Sequence, residues 1–393
     1  MPRQQQVSQQ MVCCILVLSI LLPPTLVMAR DQHAKVAVLL DLQGSQATLG
    51  QPAMNGFVLG LRQANSLQSP KIFASLLDTK TDPEITRDAA KQVTPAVSVA
   101  AGFTDNDAVL LVGPIFQEKK VPFLTIGATD PALPEVIGDH IFLTPFGDNT
   151  QAAAAAEFGI TEFGSTVAII FDNTATYSRT LPQYFQTRFE ELGGEVLFNM
   201  GYPGGCSVTS LATQIFNLPS HPSFVYLAGL PECIGEVVAS LRSAGVAQPV
   251  LGGDGLDTRN LLGGNNGATD KVWYTTHAWL STETGTPLAK EFIADYTEAY
   301  GSPPEDAFAA LGYDAANLLL DALKHADNVQ PGKMFEALES TENFTGVTGT
   351  ISFREGSHVP LKTVWTIRVS DGELSLAAAF IPESVPSPII PPK

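Results

Sequence analysis

Residues 35–65 read KVAVLLDLQGSQATLGQPAMNGFVLGLRQAN and contain the pattern that decides the fold. The apolar run Lys35–Leu40 is typical of a buried strand, and the loop Asp41–Gly50 after it is rich in small and polar residues. Pro52 then opens a segment, ending at Asn65, whose apolar residues share one helical stripe. The stretch therefore predicts a strand, a loop and a helix in that order.

The same alternation continues along the chain and predicts two similar α/β halves of four strands each. Such alternation is typical of parallel sheets covered by helices on both faces, a doubly wound arrangement. The strands are predicted at Lys35–Leu40, Lys71–Leu77, Ala108–Val112, Val121–Ile126, Ser165–Phe171, Glu195–Asn199, Ser223–Ala228 and Pro249–Gly252, and the helices at Pro52–Asn65, Leu181–Leu192, Glu232–Ala244, Pro287–Tyr300 and Pro304–Asp327, with antiparallel strands at Val347–Phe353 and Leu361–Val369.

Residues 1–29 have the features of a secretory signal peptide. Arg3 precedes an apolar stretch that ends in Ala29, near which cleavage is expected. A retained membrane anchor is the alternative, but Pro23 and Pro24 would interrupt a spanning helix. We therefore predict a periplasmic protein that is exported and loses this segment.

The charge and the motifs of the chain exclude several functional classes. Lys and Arg number 22 against 40 Asp and Glu, a net charge of -18, so nucleic acid is not an expected partner. The sequence has no Walker A, G-x-S-x-G, G-x-G-x-x-G or H-E-x-x-H motif, and its histidines lack metal-ligand spacing. We therefore predict a protein that is not an enzyme and that needs neither a cofactor nor a metal.

Five segments of the chain resemble a known family. They are the opening stretch at 35–65, LLDTKTDP at 76–83, VPFLTIGATDPAL at 121–133, VLGGDGL at 250–256 and GTISFREGSHVPLKTVWTIRVSDGEL at 349–374. They look like type I periplasmic solute-binding proteins, in the branched-chain amino-acid-binding group of ABC transporters. The resemblance implies two lobes joined by three crossing strands, which close on a small ligand and then dock on a membrane permease.

The division into lobes follows from the two halves and the resemblance together. We expect a signal peptide at 1–29, a first lobe of 30–145 with 281–345, a second lobe of 146–280 with 346–380, and a Pro-rich tail at 381–393.

Two loops of the first half are predicted to contact the ligand, because ligands of open parallel sheets bind beyond the carboxyl ends of the strands. Ser45 and Leu49 lie after the first predicted strand, and Gly127, Ala128 and Thr129 follow the fourth. Small side chains would let the backbone approach a ligand, and the threonine hydroxyl could bind a carboxylate. The resemblance implies that the second loop binds the α-carboxylate and amino group of an amino acid. Ordinary turns are the alternative for both loops.

Three residues of the second half complete the predicted site. Asp254 lies among glycines, where its carboxylate could pair with an ammonium ion or could instead cap the following turn. The resemblance implies that an acid here holds the ligand's ammonium group and that Tyr177 lines the cleft. Local packing is the alternative for the tyrosine. Leu230 and Leu49 stand where the family has aromatic residues, which predicts an aliphatic pocket.

One connection in the first half is shorter than its counterpart in the second. The eight residues Gly113–Lys120 join two predicted strands, whereas a helical crossover between parallel strands needs about a dozen. The resemblance implies that the residues missing from this connection would begin with a serine-bearing loop that contacts the ligand carboxylate. Specificity for amino acids is therefore left open.

Cys206 and Cys233 are predicted to form a disulfide, because export would place them where disulfides persist. Both follow strands at one edge of the same sheet, and those strands should lie about 10 Å apart. Gly204 and Gly205 would let the loop before Cys206 lean inward. Two buried free thiols are the alternative.

These observations predict a monomeric receptor outside the cytoplasm that delivers an amino acid or a related amide or carboxylate to an ABC permease. We expect the ligand to carry an amino group, because Asp254 has no other evident partner in the sequence. A sensory module of the same fold, which reports its ligand to a signalling partner, is the alternative.

Overall fold

The computed structural model describes residues 33–66, 71–262, 269–353, 356–370 and 372–390. The predicted signal peptide and residues 391–393 of the predicted tail lie outside these ranges. Within them, no helix combines the length and the hydropathy needed to cross a membrane.

The first lobe consists of a parallel sheet, five-stranded in the described part of the chain, and the helices packed on it. The strand order is β2-β1-β3-β4-β5, so the first strand of the chain lies inside the sheet. Helices α1, α11 and α12 cover one face and α2, α3 and α4 the other. The bounds are β1 His33–Leu40, α1 Ala47–Ser66, β2 Lys71–Asp78, α2 Pro83–Val93, β3 Val99–Gly102, α3 Asn106–Glu118, β4 Phe123–Thr125, α4 Leu133–Ile137, β5 Ile141–Leu143, α10 Pro287–Tyr300, α11 Ala307–His325 and α12 Pro331–Glu339.

The second lobe is built on a seven-stranded sheet of the described residues, in the order β14-β13-β10-β9-β8-β6-β7. Strands β6 to β10 are parallel, while β13 and β14 extend the sheet in antiparallel fashion. Helices α5 and α6 pack on one face and α7, α8 and α9 on the other. The bounds are α5 Asp148–Glu162, β6 Thr166–Asp172, α6 Thr176–Glu191, β7 Glu195–Tyr202, α7 Thr209–Phe216, β8 Phe224–Ala228, α8 Ile234–Ser243, β9 Val250–Gly252, α9 Arg259–Leu262, β10 Val272–Thr276, β13 Val364–Ser370 and β14 Glu373–Phe380.

In the described part of the chain, three segments join the lobes, at 144–147, at 277–286, and at 352–353 with 356–363. The last of them follows a small hairpin of β11 (Phe344–Gly346) and β12 (Gly349–Ile351). The predicted fold class, two doubly wound α/β lobes connected three times, is confirmed.

The predicted strand Ala108–Val112 is wrong, because these residues belong to helix α3. Val109, Val112 and Phe116 are buried at helical spacing, and the Asp105 carboxylate caps the first turn. The true third strand is β3, which has a run of small residues, VAAG. The crossover therefore runs from 103 to 122 and contains a full helix, so the predicted shortening at Gly113–Lys120 is also wrong.

The described part of the predicted tail packs against the second lobe. The Asn149 Nδ2 donates to the Pro386 carbonyl oxygen at 2.8 Å, and the Ile389 amide donates to Tyr184 Oη at 2.8 Å. These bonds fix the tail beside helices α5 and α6.

Candidate functional site

A cavity lies between the two lobes at the carboxyl ends of both sheets. Loops and first helical turns after β1, β3, β4, β6, β8 and β9 surround it, together with the first turn of α11. Its empty space is about 360 Å³, including the part open to solvent. The lining residues are Gln46, Leu49, Thr104, Asp105, Asn106, Gly127, Thr129, Tyr177, Leu230, Pro231, Asp254, Gly255 and Phe308.

The lining includes most of the residues that the sequence singled out for a ligand. Ser45 lies outside it, because this side chain is exposed in the turn before α1 and its neighbour Gln46 faces the cavity instead. Ala128 also lies outside it, because the residue is fully buried in the first-lobe core. The predicted residues that do line the cavity are Leu49, Gly127, Thr129, Tyr177, Leu230 and Asp254.

Sequence reasoning missed the loop after β3, which contributes Thr104, Asp105 and Asn106 to the cavity. A signal for this loop was present, since an aspartate before residues of helical spacing is typical of a helix N-cap. Phe308 was missed for another reason. It lies in the first turn of α11, far along the chain from every strand end, and only the packing of α11 on α1 brings it to the cavity.

The Asp254 carboxylate is 2% exposed and has two protein partners. Its Oδ1 accepts from Gln151 Nε2 at 2.8 Å, and its Oδ2 lies 2.9 Å from His277 Nε2. The expectation that this acid has no evident partner is therefore wrong, because no sequence pattern indicated that α5 and the residue after β10 supply these groups. Each carboxylate oxygen still has a second lone pair, so the acid retains room for a donor from a ligand.

Gln151 links Asp254 to a second buried acid. Its Nε2 also donates to Asp148 Oδ1 at 2.9 Å, while its Oε1 accepts from the Asp254 amide at 3.0 Å and from Thr275 Oγ1 at 2.9 Å. Burial raises the pKa of the Asp148 carboxyl well above its usual range, and the nearby Asp254 raises it further. The amide of Gln151 therefore orients Asp254 from beneath the cavity.

His277, directly after β10, contacts the other oxygen of Asp254. Its ring is fully buried and packs on Phe146, with the ring centroids 4.0 Å apart. Burial lowers the pKa of the imidazole, which favours the neutral form, while the bond to Asp254 opposes this shift. Among the described residues the Nδ1 atom has no hydrogen-bond partner, so a neutral ring donates from Nε2 to the carboxylate.

On the first lobe, Asp105 brings a second carboxylate to the cavity. Its side chain accepts from the Asp107 amide at 3.3 Å and the Ala108 amide at 3.2 Å, at the start of α3. Burial raises the pKa of Asp105 to about 6, and the charge of Asp107 adds to this effect. Asp105 is therefore mostly ionised at neutral pH.

Asn106 joins α3 to the loop after β4. Its Oδ1 accepts from the amides of Thr129 and Asp130 at 2.9 and 3.0 Å, and its Nδ2 donates to Asp148 Oδ2 at 3.4 Å. The Thr129 amide is thus already bonded within the protein.

Two hydroxyl groups complete the polar lining. Thr104 Oγ1 is buried and has no partner among the described residues. Tyr177 Oη accepts from the Gly255 amide at 3.0 Å, and burial raises the pKa of this phenol well above its usual range. Both hydroxyls are neutral and could donate to a ligand.

The lobes contact each other directly at two places. Thr176 of the second lobe donates to the Asp107 carboxylate of the first through its Oγ1 and through its amide, the latter at 3.2 Å. Asp257 Oδ2 accepts from the Ala307 amide of α11 at 3.1 Å. The structure therefore describes a closed arrangement of the two lobes.

A disulfide joins Cys206 to Cys233, with their Cα atoms 4.8 Å apart. Gly204 and Gly205, just before Cys206, both have positive φ, a backbone conformation that glycine adopts without strain. Cys233 directly precedes α8 and ends the loop that carries Leu230 and Pro231. The bridge therefore ties a cavity loop to the loop after β7.

The family model of the periplasmic binding proteins matches residues 33–373, and the chain belongs to that family. A Leu/Ile/Val-binding protein of Rhizobium johnstonii is 23% identical over 331 residues, which cover 82% of this chain and 88% of the relative. A leucine-binding protein of Thermotoga maritima, known by its crystal structure, is 28% identical with a TM-score of 0.82 and covers 89% of this chain and 99% of its own.

Other structures show that the same fold accompanies different ligands. A solute-binding protein of Rhodopseudomonas palustris, crystallised with 3,4-dihydroxybenzoic acid, is 22% identical with a TM-score of 0.79 and covers 90% of this chain and 99% of its own. The resemblance to type I proteins of the branched-chain amino-acid-binding group is confirmed. These relatives are solute-binding proteins rather than enzymes.

Proposed function

We propose that this protein is an exported receptor that captures a small ligand with an ammonium group between its lobes and delivers it to an ABC permease. One observation carries the proposal. Asp254 from the second lobe and Asp105 from the first line the same cavity, and none of the described lining residues is basic.

The charges favour a cation in this space. An ammonium group has three donors and forms its strongest hydrogen bonds with carboxylates. A ligand that contacts both lobes stabilises the closed arrangement over the open one, since it binds only the closed form with both sets of groups. Leu49 and Leu230 offer an aliphatic surface to the rest of the ligand.

The relatives support an amino group rather than an aromatic acid. The curated relatives are named for binding leucine, isoleucine and valine. Structural neighbours with benzoates bind anions, which the two acids of this cavity would repel. We therefore place the chain's ligand among small amines and amino-acid-like compounds.

Replacing the second-lobe acid tests the site. We expect Asp254→Asn to weaken amine binding by about ten- to a hundredfold, the range expected for a hydrogen bond to a charged group. Isothermal titration calorimetry measures the affinity. Asp172→Asn is the matched control, because Asp172 is also a buried acid at the carboxyl end of a strand in this sheet but lies outside the cavity lining. Equal affinities for wild type and Asp254→Asn would refute the site.

Export and delivery need separate measurements. We propose that residues 1–29 are removed near Ala29, so N-terminal sequencing of the periplasmic protein should begin at Arg30 or close to it. Deletion of the gene should abolish high-affinity uptake of the labelled ligand by intact cells. Normal uptake in the deletion strain would contradict delivery to a permease and would favour a sensory role for the same binding site.

A further inference from the structure

The cavity lining has no group that would neutralise a carboxylate of a ligand. Its charged members in the described chain are both acids, Asp105 and Asp254, one from each lobe. A third acid, Asp148, lies directly behind Asp254 and shares the Gln151 amide with it. A ligand carboxylate in this space would face like charges without a cationic side chain to offset them.

Backbone amides are the other groups that could bind a carboxylate, and several of those beside the cavity already have acceptors within the protein. The amides of Asp107 and Ala108, at the start of α3, donate to Asp105. The amides of Thr129 and Asp130 donate to Asn106 Oδ1. These four first-lobe amides are thus occupied by the protein's own oxygens.

The same pattern holds on the second lobe. The Asp254 amide donates to Gln151 Oε1 at 3.0 Å, and the Gly255 amide donates to Tyr177 Oη at 3.0 Å. An anion could bind these two amides only if both bonds broke, and Tyr177 Oη would then lose the donor that the Gly255 amide supplies.

Neutral polar groups of a ligand do have a partner. Thr104 Oγ1 is buried without a partner among the described residues, and its hydroxyl can donate or accept. The Tyr177 hydroxyl proton is a second neutral donor beside Asp254. A carbonyl, amide or hydroxyl oxygen therefore fits where a carboxylate does not.

We propose that the ligand carries a cationic nitrogen but no carboxylate, as in a small aliphatic amine or an amino-acid amide, and that Asp105 excludes free amino acids. This inference rests on the proposed function, since it takes the ammonium group between Asp105 and Asp254 as given. Asp105 acts as a built-in substitute for a ligand carboxylate, because it occupies the start of α3 with its own negative charge.

A matched ligand panel tests the proposal on the full mature protein. Glycine, alanine, valine and leucine are each titrated as the free acid, as the amide and as the amine that lacks the carboxyl group. We expect the best amide or amine to bind at least about tenfold more tightly than its free acid. Tighter binding of a free acid than of its own amide and amine would overturn the inference and leave the proposed function intact. No binding by any member would overturn both.

Two variants of one residue test the role of Asp105. Asp105→Asn keeps an oxygen that can cap α3, since asparagine caps helices as well as aspartate does, but removes the charge. It should lower the affinity for the best amine or amide by about tenfold. Asp82→Asn is the control, because Asp82 caps α2 of the same lobe in the same way, with bonds of 2.8 and 3.0 Å, away from the cavity.

Asp105→Gly removes both the charge and the capping oxygen, which frees the amides of Asp107 and Ala108 for an anion. The preference for amide over free acid should then fall by about tenfold or more, chiefly because the free acid binds better. An unchanged preference in Asp105→Gly, in a variant that retains its circular dichroism spectrum, would overturn the role assigned to Asp105.

Discussion

The third strand of each lobe is followed by a loop and a helix that reach the cavity, and the two loops are held in different ways. After β3, the loop carries Asp105, whose carboxylate caps α3 through two hydrogen bonds. After β8, the loop carries Leu230 and ends at Cys233, where α8 has no side-chain cap but the disulfide to Cys206 fixes the chain. One loop contributes charge to the site, and the other contributes an apolar contact on a covalently fixed backbone.

The two loops therefore supply different properties to the site, charge in one case and rigidity in the other. A buried carboxylate lowers stability in the absence of a ligand, which the raised pKa of Asp105 reflects. A disulfide restricts the unfolded chain and so stabilises the folded one, without adding charge. The loop after β3 therefore brings a charge to the cavity, while the loop after β8 gains its rigidity from a covalent bond.

Removal of the disulfide should produce the largest effect. The sequence separation of 27 residues corresponds to about 3.5 kcal/mol in the chain-entropy model. We expect Cys206→Ser with Cys233→Ser to lower the free energy of unfolding by this order, measured by urea denaturation. Two reactive thiols in the denatured, unreduced mature protein, which lacks Cys13 and Cys14, would refute the bridge. An unchanged free energy of unfolding would refute its stabilising role.

The charge of Asp105 should have a smaller and pH-dependent effect on stability. Its pKa is about 6 in the folded protein against about 3.9 in an unfolded chain. The folded state therefore binds more protons between these values, and the stability contributed by this group rises as the pH falls from 7 to 5. The gain is about 1 kcal/mol for one such carboxyl.

Comparison with Asp105→Asn isolates this contribution. The variant should be more stable than the wild type at pH 7, and its advantage should shrink by about 1 kcal/mol at pH 5. His277 and His358 have lowered pKa values, which destabilise the folded state as the pH falls. The wild type and Asp105→Asn share both histidines, so their effect cancels in the difference between the two unfolding free energies. A pH-independent difference in thermal or urea denaturation would show that Asp105 does not titrate in this range.

The fold could be predicted from the sequence wherever strands were β-branched and helices had a clear apolar stripe. Helix α10 begins and ends at the predicted residues, because Pro287 favours its first turn and Gly301 its left-handed end. Strand β3 could not be predicted in the same way. Its VAAG sequence is completely buried, so close packing of small residues replaces the usual β-branched signal.

The site was predictable only where residues directly follow predicted strands. Asp254 and Gly127 were found because the carboxyl ends of parallel strands meet at one edge. Gln151 and His277 were not found, because they lie 103 and 23 residues from Asp254 in the chain, one in helix α5 and the other directly after strand β10. Their roles depend on how tertiary packing brings α5 and β10 beneath the cavity.

The start of α3 also makes a hydrogen-bonded contact between the lobes. Among the described residues, the start of α8 makes no comparable bond. Asp107, two residues after the Asp105 cap, accepts from the hydroxyl and the amide of Thr176 across the cleft. Arg179 Nη2 donates to the same hydroxyl oxygen at 2.9 Å and so helps to orient it. The loop that brings charge to the site is therefore next to a direct contact between the two lobes.

Loss of the Asp107–Thr176 contact should have a smaller effect than loss of the disulfide or of the Asp105 charge. Thr176→Val removes the hydroxyl but keeps the amide bond to Asp107, so we expect ligand affinity to fall by about two- to fivefold through faster dissociation. Stopped-flow fluorescence measures the dissociation rate. Thr180→Val is the control, because the Thr180 hydroxyl bonds to the Thr176 carbonyl within α6 at 3.0 Å and does not cross the cleft. If both variants release ligand at the same rate, the Asp107–Thr176 contact does not stabilise closure, and the two third-strand loops differ only in charge and in their means of attachment.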